Sequence, residues 1–212
     1  MRFADREDAG RRLADALGGR ADGLVVLGIP RGGVVVAAEI ARRLDAPLDV
    51  VVPRKLRAPG NPELGIGAVA PGVRLLDDHL VARLGVDRDY LEREIDRQEE
   101  EIARRTRAYR GDRAPARIEG KRAVVVDDGI ATGGTAVAAL RWTRRQRPAE
   151  VALAVPVAPR QMLSTMEREA DDVVVLSTPE PFLAVGEWYG AFEQTSDEEV
   201  VAALARSRDR AA

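Results

Sequence analysis

The chain has 212 residues, no cysteine and a formal net charge of −2, with 45% hydrophobic and 32% charged residues. This length suits a single α/β domain, and this composition is typical of a soluble globular protein. They exclude disulfides and thiolate metal sites, and they disfavour a nucleic-acid partner held by overall charge. The sequence has no run of eighteen apolar residues and no signal-peptide core, so we expect no membrane segment and a cytoplasmic location.

The first half of the chain predicts alternating helices and strands. Apolar residues at helical spacing predict a helix over residues 5–17 and another over 34–44, with strands over 24–29 and 48–52. This order predicts parallel strands with right-handed crossovers. Residues 54–65 carry two prolines and two glycines and are predicted to form a mobile loop.

A long charged segment follows two short predicted strands near residues 66–70 and 73–76. Residues 87–109 are dense in arginine and glutamate, with one narrow apolar stripe at helical spacing. This pattern predicts a long surface helix that lies across the sheet or against a partner subunit. The single histidine, His79, precedes this helix, and we assign it no catalytic role.

The strand pattern resumes in the second half of the chain. Strands are predicted over residues 122–127, 151–155 and 173–176, and helices over 134–146 and 160–169. The tail that follows is rich in aromatic residues. A Thr-Ser-Asp-Glu-Glu run at its end predicts the start of a last helix.

These elements define a predicted architecture for residues 1–212 as a single domain. Its fold class is α/β, with a parallel five-stranded central sheet flanked by helices. We place the core at about 20–178, with a helical insertion at about 78–112. A small hood is expected from the two chain ends, about 1–19 and 179–212.

The most informative stretch is VVVDDGIATGGT at residues 124–135. Its valines predict a buried strand that ends at Asp127 and Asp128, and a glycine-rich turn then leads into a helix. Free backbone N–H groups and the helix dipole bind phosphate, while the carboxylates accept hydrogen bonds from sugar hydroxyls or hold a metal. The predicted ligand is a sugar phosphate. No lysine follows the glycines, which excludes a Walker A loop. The alternative to a phosphate site is a tight strand-to-helix turn whose acidic residues cap the helix.

Two further segments could bind anions. The turn GIPRGG at residues 28–33 joins a predicted strand to a helix, at the sheet edge where ligands of open α/β sheets gather. Arg54 and Lys55 follow the next strand. Lysine is rare here, with two residues against 31 arginines, and its ammonium is a compact point charge suited to phosphate. A solvated basic loop is the alternative for this pair.

The stretch at 124–135 resembles the 5-phosphoribosyl-1-pyrophosphate (PRPP) loop of the type I phosphoribosyltransferases. The resemblance implies that Asp127 and Asp128 bind the ribose 2′ and 3′ hydroxyls. It also implies that the following loop wraps the 5-phosphate, through Gly129, Ala131, Thr132, Gly133, Gly134 and Thr135.

The other two segments have counterparts in the same family. The GIPRGG turn resembles its pyrophosphate loop, which implies that Arg31, Gly32 and Gly33 bind pyrophosphate and that a non-proline cis peptide lies at Arg31. Arg54 and Lys55 would neutralise the departing pyrophosphate, and the loop would close over the site. Mg²⁺ is the implied cofactor, with Asp127 and Asp128 holding it through ribose hydroxyls or water.

The tail PFLAVGEWYGAF, from Pro181, resembles the acceptor-side segment of purine-type transferases. Phe182 would then stack on the acceptor, and the backbone at Val185 and Gly186 would read its edge. The alternative is that the aromatic residues of the tail, namely Phe182, Trp188, Tyr189 and Phe192, pack the hood against the core.

The chain departs from the hypoxanthine–guanine enzymes of the family. Those enzymes carry an aspartate where this chain has Ala131, and a lysine near the strand at 151–155 where this chain has none. A 6-oxopurine acceptor is therefore not supported. Glu63 and Glu187 are the candidates for a substitute acid or base.

The whole chain resembles a group of bacterial phosphoribosyltransferase-like proteins that share the RKL–APGNPELGIGAVA block, the long charged helix and the VGEWY–F tail. We therefore expect a Mg²⁺-dependent transferase that moves the phosphoribosyl group of PRPP to a small-molecule nitrogen acceptor, such as a nucleobase, and that forms a homodimer. The alternative is a non-catalytic sensor of PRPP or a nucleotide with the same fold. A phosphohydrolase would need a metal cluster or an activated nucleophile, and the sequence shows neither.

Overall fold

The computed structural model describes residues 1–18 and 23–207. In these ranges the strands are, in chain order, Leu24–Gly28 (β1), Leu48–Val50 (β2), Arg54–Ala58 (β3), Asn61–Ala70 (β4), Val73–Leu76 (β5), Arg122–Val126 (β6), Glu150–Val157 (β7) and Asp172–Ser177 (β8). The α-helices are Arg6–Leu17 (α1), Gly32–Arg43 (α2), Asp78–Arg83 (α3), Arg88–Arg110 (α4), Gly134–Arg145 (α5), Leu163–Glu169 (α6) and Asp197–Arg206 (α7). Short 3₁₀ turns cover Arg160–Met162 and Val185–Trp188.

The central sheet is parallel and five-stranded, as predicted, and its strand order is β2-β1-β6-β7-β8. From β1 the chain first runs outward to β2 and later returns to β6 on the other side. The strand order therefore switches direction between β1 and β6, and their carboxyl ends lie side by side, with Gly28 opposite Val126. Such a switch point is where open α/β sheets bind ligands.

Helices cover both faces of this sheet, which explains why its inner strands read as continuous apolar runs. Alternate residues of β1 face opposite ways: Val25 and Leu27 pack with α5 and α6, and Val26 packs with α1 and α2. Every residue of β1 is buried. Among the described residues, no helix is both long and apolar enough to cross a membrane.

The prediction of a mobile loop at residues 54–65 is wrong. Strands β3 and β4 form an antiparallel hairpin there, and β5 completes a three-stranded sheet. The prolines and glycines that suggested a loop supply the turn, where Gly60 has φ 72°, and the exposed start of β4. Buried Leu56 and Ile66 anchor the hairpin to the core.

The long charged helix is confirmed as α4, and α3 precedes it within the predicted insertion. Its apolar stripe contains Ile95, Ile102 and Tyr109, which are buried in one cluster with residues of β3, β4 and α7. The stripe is therefore covered by this chain itself. This rules out a contact with a partner subunit through the stripe, the second of the two alternatives that the sequence pattern left open.

The two chain ends contact each other. Phe3 and Tyr189 form a β-bridge, and the backbone N–H of Gly190 donates to the Phe3 carbonyl at 2.8 Å. Helix α7 begins with a capping box between Ser196 and Glu199, as its sequence predicted. Residues 19–22 and 208–212, which the predicted hood and core boundaries include, lie outside the described residues.

One hydrogen bond joins α4 to α7 in this core. The hydroxyl of buried Tyr109 donates to Asp197 Oδ1 at 2.7 Å. We expect Tyr109→Phe to lower the free energy of unfolding by about 1–1.5 kcal/mol, because the ring packing is kept and one hydrogen bond is lost. Urea denaturation measures this. Tyr90→Phe, which removes a hydroxyl that donates to the Arg57 carbonyl at 2.9 Å in a less buried place, should cost less; the reverse order would contradict the assignment.

Candidate functional site

Two glycine turns meet where the strand order switches. The turn after β1 leads into α2, whose first residue is Gly32, and the turn after β6 leads into α5, whose first residue is Gly134. A hydrogen bond of 2.8 Å from the Ile29 N–H to the Val126 carbonyl ties the two strand ends together. Two helix N-termini, each with unpaired backbone N–H groups, therefore begin at neighbouring strand ends.

A cleft of about 480 Å³ opens at these strand ends. It brings together predicted site residues from three segments of the chain, namely Arg31, Gly32, Arg54, Lys55, Asp127, Asp128 and Thr135. The cleft also contains residues that the sequence analysis missed, and these come from the two chain ends: Arg6, Phe192, Gln194 and Thr195.

Gly33 is set behind the cleft, where α2 approaches the end of β6. A β-carbon at this position would lie 2.8 Å from both Asp127 Cα and the Val126 carbonyl oxygen. Glycine therefore allows the α2 N-terminus to approach the acidic pair. The peptide bond between Pro30 and Arg31 is cis, at the residue where the family resemblance placed it.

The acidic pair is held by both chain ends. Asp128 Oδ2 accepts a hydrogen bond from Arg6 Nε at 2.8 Å, and the Asp128 carbonyl accepts one from the Tyr189 hydroxyl at 2.5 Å. Asp127 Oδ1 accepts from the Asp128 N–H at 2.9 Å. Burial and, second, the negative charge of Asp128 raise the pKa of Asp127 well above its usual value. The two neighbouring carboxyl groups thus have different environments.

Arg6 links the acidic pair to the aromatic tail. Its guanidinium lies 3.9 Å from the centre of the Phe192 ring, and its Nη1 donates to the Glu193 carbonyl at 2.8 Å. Only 12% of its side chain is exposed. No local sequence signal distinguishes Arg6 from the other arginines of the first helix, since its role depends on contacts with residues more than 120 positions away.

The three predicted cations of the cleft are held differently. Arg31 Nη1 lies 3.9 Å from Asp197 Oδ1. Arg54 Nε donates to Gln98 Oε1 on α4 at 2.9 Å, and burial, followed by the charge of Arg105, lowers the Arg54 pKa. The exposed Lys55 forms no ion pair with any described residue, so its ammonium is available to an anion in the cleft.

The predicted phosphate loop has the geometry of a helix start. Gly133 has φ 77° and is the N-cap of α5, and Gly134 and Thr135 form the first turn of that helix. Ala131 and Thr132 are exposed. Gly129 has φ 158°, and a β-carbon on it would lie 2.5 Å from Val185 Cγ1, so the loop packs closely against the tail.

The aromatic tail contacts the cleft through a residue other than the predicted one. Phe182 and Val185 belong to a cluster with Phe3 and Tyr189, and the residues lining the cleft include neither of them. Phe192, which stacks on Tyr189 at 4.8 Å between ring centres, lines the cleft instead. The proposed acids Glu63 and Glu187 are exposed and are likewise not among its lining residues.

The donor set suits a magnesium ion that a substrate helps to hold. In the described part of the chain, no group of three or more His, Cys, Asp or Glu side chains could hold a metal alone. Mg²⁺ is commonly bound by one or two carboxylates together with water and substrate phosphates. Asp127 and Asp128 provide two carboxylates beside the two helix N-termini, and they therefore fit such an ion.

A second cavity, of about 640 Å³, lies between α2 and α7. Its lining residues do not include the two glycine turns, the acidic pair or Lys55. We therefore assign the chemistry to the smaller cleft at the strand ends.

The contact between Arg6 and Asp128 can be measured directly. Both side chains are more than four-fifths buried, so removing one partner leaves the other without its counter-charge. In a double-mutant cycle of Arg6→Gln, Asp128→Asn and the double variant, we expect a coupling free energy of about 1 kcal/mol in urea denaturation. The same cycle on the exposed pair Arg43–Asp15 should give less. Additive effects at the first pair would contradict the contact.

The fold and the cleft define a class of protein: a doubly wound α/β domain with an acidic pair and two helix N-termini at its switch point. The sequence profile of the phosphoribosyl transferase domain matches residues 6–199. The chain belongs to the phosphoribosyl transferase family.

Individual relatives agree with this assignment. The chain is 47% identical over 209 residues to Rv0571c of Mycobacterium tuberculosis H37Rv, whose name describes it provisionally as a phosphoribosyl transferase. That match covers 97% of this chain and 47% of the relative, so the chain spans about half the length of the curated relatives it matches. The crystal structure of TT1426 from Thermus thermophilus is 46% identical, with a TM-score of 0.81 and coverage of 97% of this chain and 99% of that one. AQ2163 from Aquifex aeolicus shares the fold at 15% identity, with a TM-score of 0.50 and coverage of 85% of this chain and 78% of that one.

Proposed function

We propose that this chain transfers the 5-phosphoribosyl group of PRPP to a nitrogen acceptor and releases pyrophosphate. The observation that carries this proposal is the convergence of the acidic pair, the two helix N-termini and the cations Arg31, Arg54 and Lys55 in one cleft. PRPP carries a diol, a 5-phosphate and a pyrophosphate on one ribose, and each of these groups would have a matching partner at the cleft.

The acidic pair and the α5 N-terminus would hold the phosphoribosyl half of PRPP. Asp127 and Asp128 would accept hydrogen bonds from the ribose 2′ and 3′ hydroxyls. The 5-phosphate would bind the backbone N–H groups from Gly133 to Thr135, where the helix dipole favours negative charge. The loop residues Gly129, Ala131 and Thr132 would contribute to phosphate binding as well, because they set the path of the backbone that leads into α5.

The pyrophosphate would lie against the turn after β1 and the basic residues of β3. In the reaction, the bond between ribose C1 and the pyrophosphate oxygen breaks and a bond from the acceptor nitrogen to C1 forms. Positive charge develops on the ribose and negative charge on the leaving group. Arg31, Arg54 and Lys55 would stabilise that negative charge, together with the N–H groups of Gly32 and Gly33. A bound Mg²⁺, held at Asp127 and Asp128 directly or through hydroxyls and water, would supply further electrostatic stabilisation of the phosphates.

The acceptor would enter from the side of the chain ends. Phe192, Gln194 and Thr195 line the cleft there. The ring of Phe192 already contacts Tyr189 and Arg6, so its edge would pack against a planar heterocycle, and the Gln194 amide can both donate to and accept from the polar edge of that heterocycle. We therefore propose a nitrogen heterocycle such as a nucleobase, with Phe192 rather than Phe182 as the aromatic contact. A homodimer and a cytoplasmic location remain predictions, and the dimer contact would not involve the buried stripe of α4.

The experiment that tests the function is calorimetric titration with PRPP, with and without Mg²⁺, followed by a panel of nucleobases monitored by pyrophosphate release. We expect PRPP to bind and Mg²⁺ to strengthen the binding. Release of pyrophosphate with at least one acceptor would support the transferase. Binding of PRPP without turnover on any acceptor would favour the sensor, and no binding at millimolar PRPP would overturn both.

A further inference from the structure

A second basic groove lies beside the cleft, between β3 and α4. It has a volume of about 530 Å³ and is lined by five arginines, Arg54, Arg57, Arg97, Arg104 and Arg107. The acidic residues of its lining are Glu100 and Glu101, which leaves a formal charge of +3 from five cations and two anions. The proposed transfer reaction gives this groove no role.

One of the two acids of the groove, Glu101, is paired with neighbouring arginines. Glu101 accepts hydrogen bonds from Arg104 and from Arg105, with Nε distances of 2.7 and 2.6 Å, and these contacts lower its pKa to about 2. Glu94, buried beneath the groove, holds Arg97 and the side chain of Gln98. The paired arginines are thereby fixed on the surface of α4 rather than left mobile.

Two of the five arginines, Arg57 and Arg107, form no ion pair or side-chain hydrogen bond within the described part of the chain. Arg54 donates its Nε to Gln98, and burial, then the like charges of Arg105 and Arg57, lower its pKa against the opposing charge of Glu101. Cations held together in this way are stabilised by an anion that several guanidinium groups can contact at once.

We infer that this groove is a binding site for a polyphosphate anion, either inorganic or as the phosphate chain of a nucleotide. Several negative charges in a short chain match the row of guanidinium groups, which bind phosphate oxygens in bidentate geometry. Arg54 lines both the groove and the cleft, so an occupant of the groove would contact a residue of the cleft. A ligand there would therefore modulate pyrophosphate binding in the cleft, a consequence that rests on the proposed function.

Inorganic triphosphate is the probe for a calorimetric titration at 0.15 M salt. Arg57→Ala/Arg107→Ala removes the two unpaired cations without breaking a side-chain contact. The matched control is Arg88→Ala/Arg93→Ala, which removes the same charge from exposed positions of α4 outside the groove. We expect the groove variant to weaken triphosphate binding at least tenfold and the control to change it less than twofold. Equal weakening by the two variants, or no binding to the unaltered chain, would overturn the inference.

Two further measurements identify the chemical class of the ligand and the location of its binding site. Binding of ATP and inorganic triphosphate with similar affinity would show that the phosphate chain is recognised, and tighter binding of ATP would identify a nucleotide. Binding of AMP as tight as that of triphosphate would overturn the inference. Hydrogen exchange should be slowed by triphosphate in a peptide covering residues 97–107; protection confined to residues 127–135 would also overturn it.

The test is independent of the transferase reaction. Asp127→Asn/Asp128→Asn alters the cleft and leaves the groove intact, so this variant should still bind triphosphate in a manner that depends on Arg57 and Arg107. If the chain binds triphosphate in a manner that depends on Arg57 and Arg107 but does not bind PRPP, the proposed function fails and the groove site stands. If it binds PRPP but the groove variant shows unchanged triphosphate affinity, the groove site fails and the proposed function stands.

Discussion

Replacing Asp127 and Asp128 together with asparagine should lower the affinity for PRPP by at least about 100-fold. Each carboxylate would accept a hydrogen bond from a ribose hydroxyl, and bonds to charged groups contribute about 1.5–3 kcal/mol each. Two such losses of at least about 1.4 kcal/mol each correspond to a factor of 100. Calorimetric titration with PRPP and Mg²⁺ measures the change directly and requires no knowledge of the acceptor.

The control for this variant is Asp112→Asn, an exposed position in the segment after α4. It removes the same type of charge from the chain and should leave PRPP affinity within about twofold, since exposed charges at a distance are screened by salt. Circular dichroism should show that both variants are folded. Retention of PRPP affinity in the double variant would contradict the assignment of the acidic pair to the ribose.

The single variants should differ from each other. Asp128 is held by Arg6, so Asp128→Asn also releases the arginine from its ion pair, whereas Asp127 contacts the Asp128 N–H through its own side chain. The effect of Asp128→Asn on PRPP affinity should therefore be mimicked in part by Arg6→Gln. No substitution at the chain ends should mimic the effect of Asp127→Asn on PRPP affinity.

The sequence predicted the part of the fold that depends on local pattern. Strands such as β1 and β6 are buried on both faces and read as apolar runs, and the glycine turns after them mark where helices begin. Asp127, Asp128 and Lys55 could be found for the same reason, because each follows a strand at the edge where ligands bind. The charged helix α4 was predicted from its spacing within about one residue at each end.

The errors have physical causes. Residues 54–65 were predicted as a loop because prolines and glycines dominate the composition, yet the hairpin is stabilised by burial of Leu56 and Ile66 in the core. Phe192 and Arg6 lie at opposite ends of the chain and meet only in the folded protein. No local pattern can assign such residues to a site, since their position depends on how the two chain ends pair.

The chain ends therefore contribute directly to the cleft rather than merely covering it. The β-bridge between Phe3 and Tyr189 fixes both ends, Tyr189 contacts the Asp128 carbonyl, and Arg6 contacts its carboxylate. Arg6 also contacts the ring of Phe192, so the position of Asp128 and the positions of the cleft residues in the C-terminal tail are physically connected.

The approach of α2 to β6 is tested by a pair of neighbouring glycines. A β-carbon on Gly33 would meet the main chain of Asp127 and Val126 at 2.8 Å, and main-chain atoms in a buried sheet cannot easily move. We expect Gly33→Ala to lower the free energy of unfolding by about 2–3 kcal/mol, as overpacking does in a dense core. The same change should displace Asp127 and weaken PRPP binding. Urea denaturation and calorimetry measure the two effects on one preparation.

Gly32→Ala is the matched variant, since its β-carbon would meet side chains rather than main chain. The nearest groups are the Asp128 carboxylate and Arg6 Nε, the latter at 2.5 Å, and both can rotate away. We therefore expect a loss of stability below about 1 kcal/mol. PRPP affinity should nonetheless fall, because Asp128 leaves its position. If Gly33→Ala were tolerated as well as Gly32→Ala, the close approach of α2 to the acidic pair would not be a property of the folded chain.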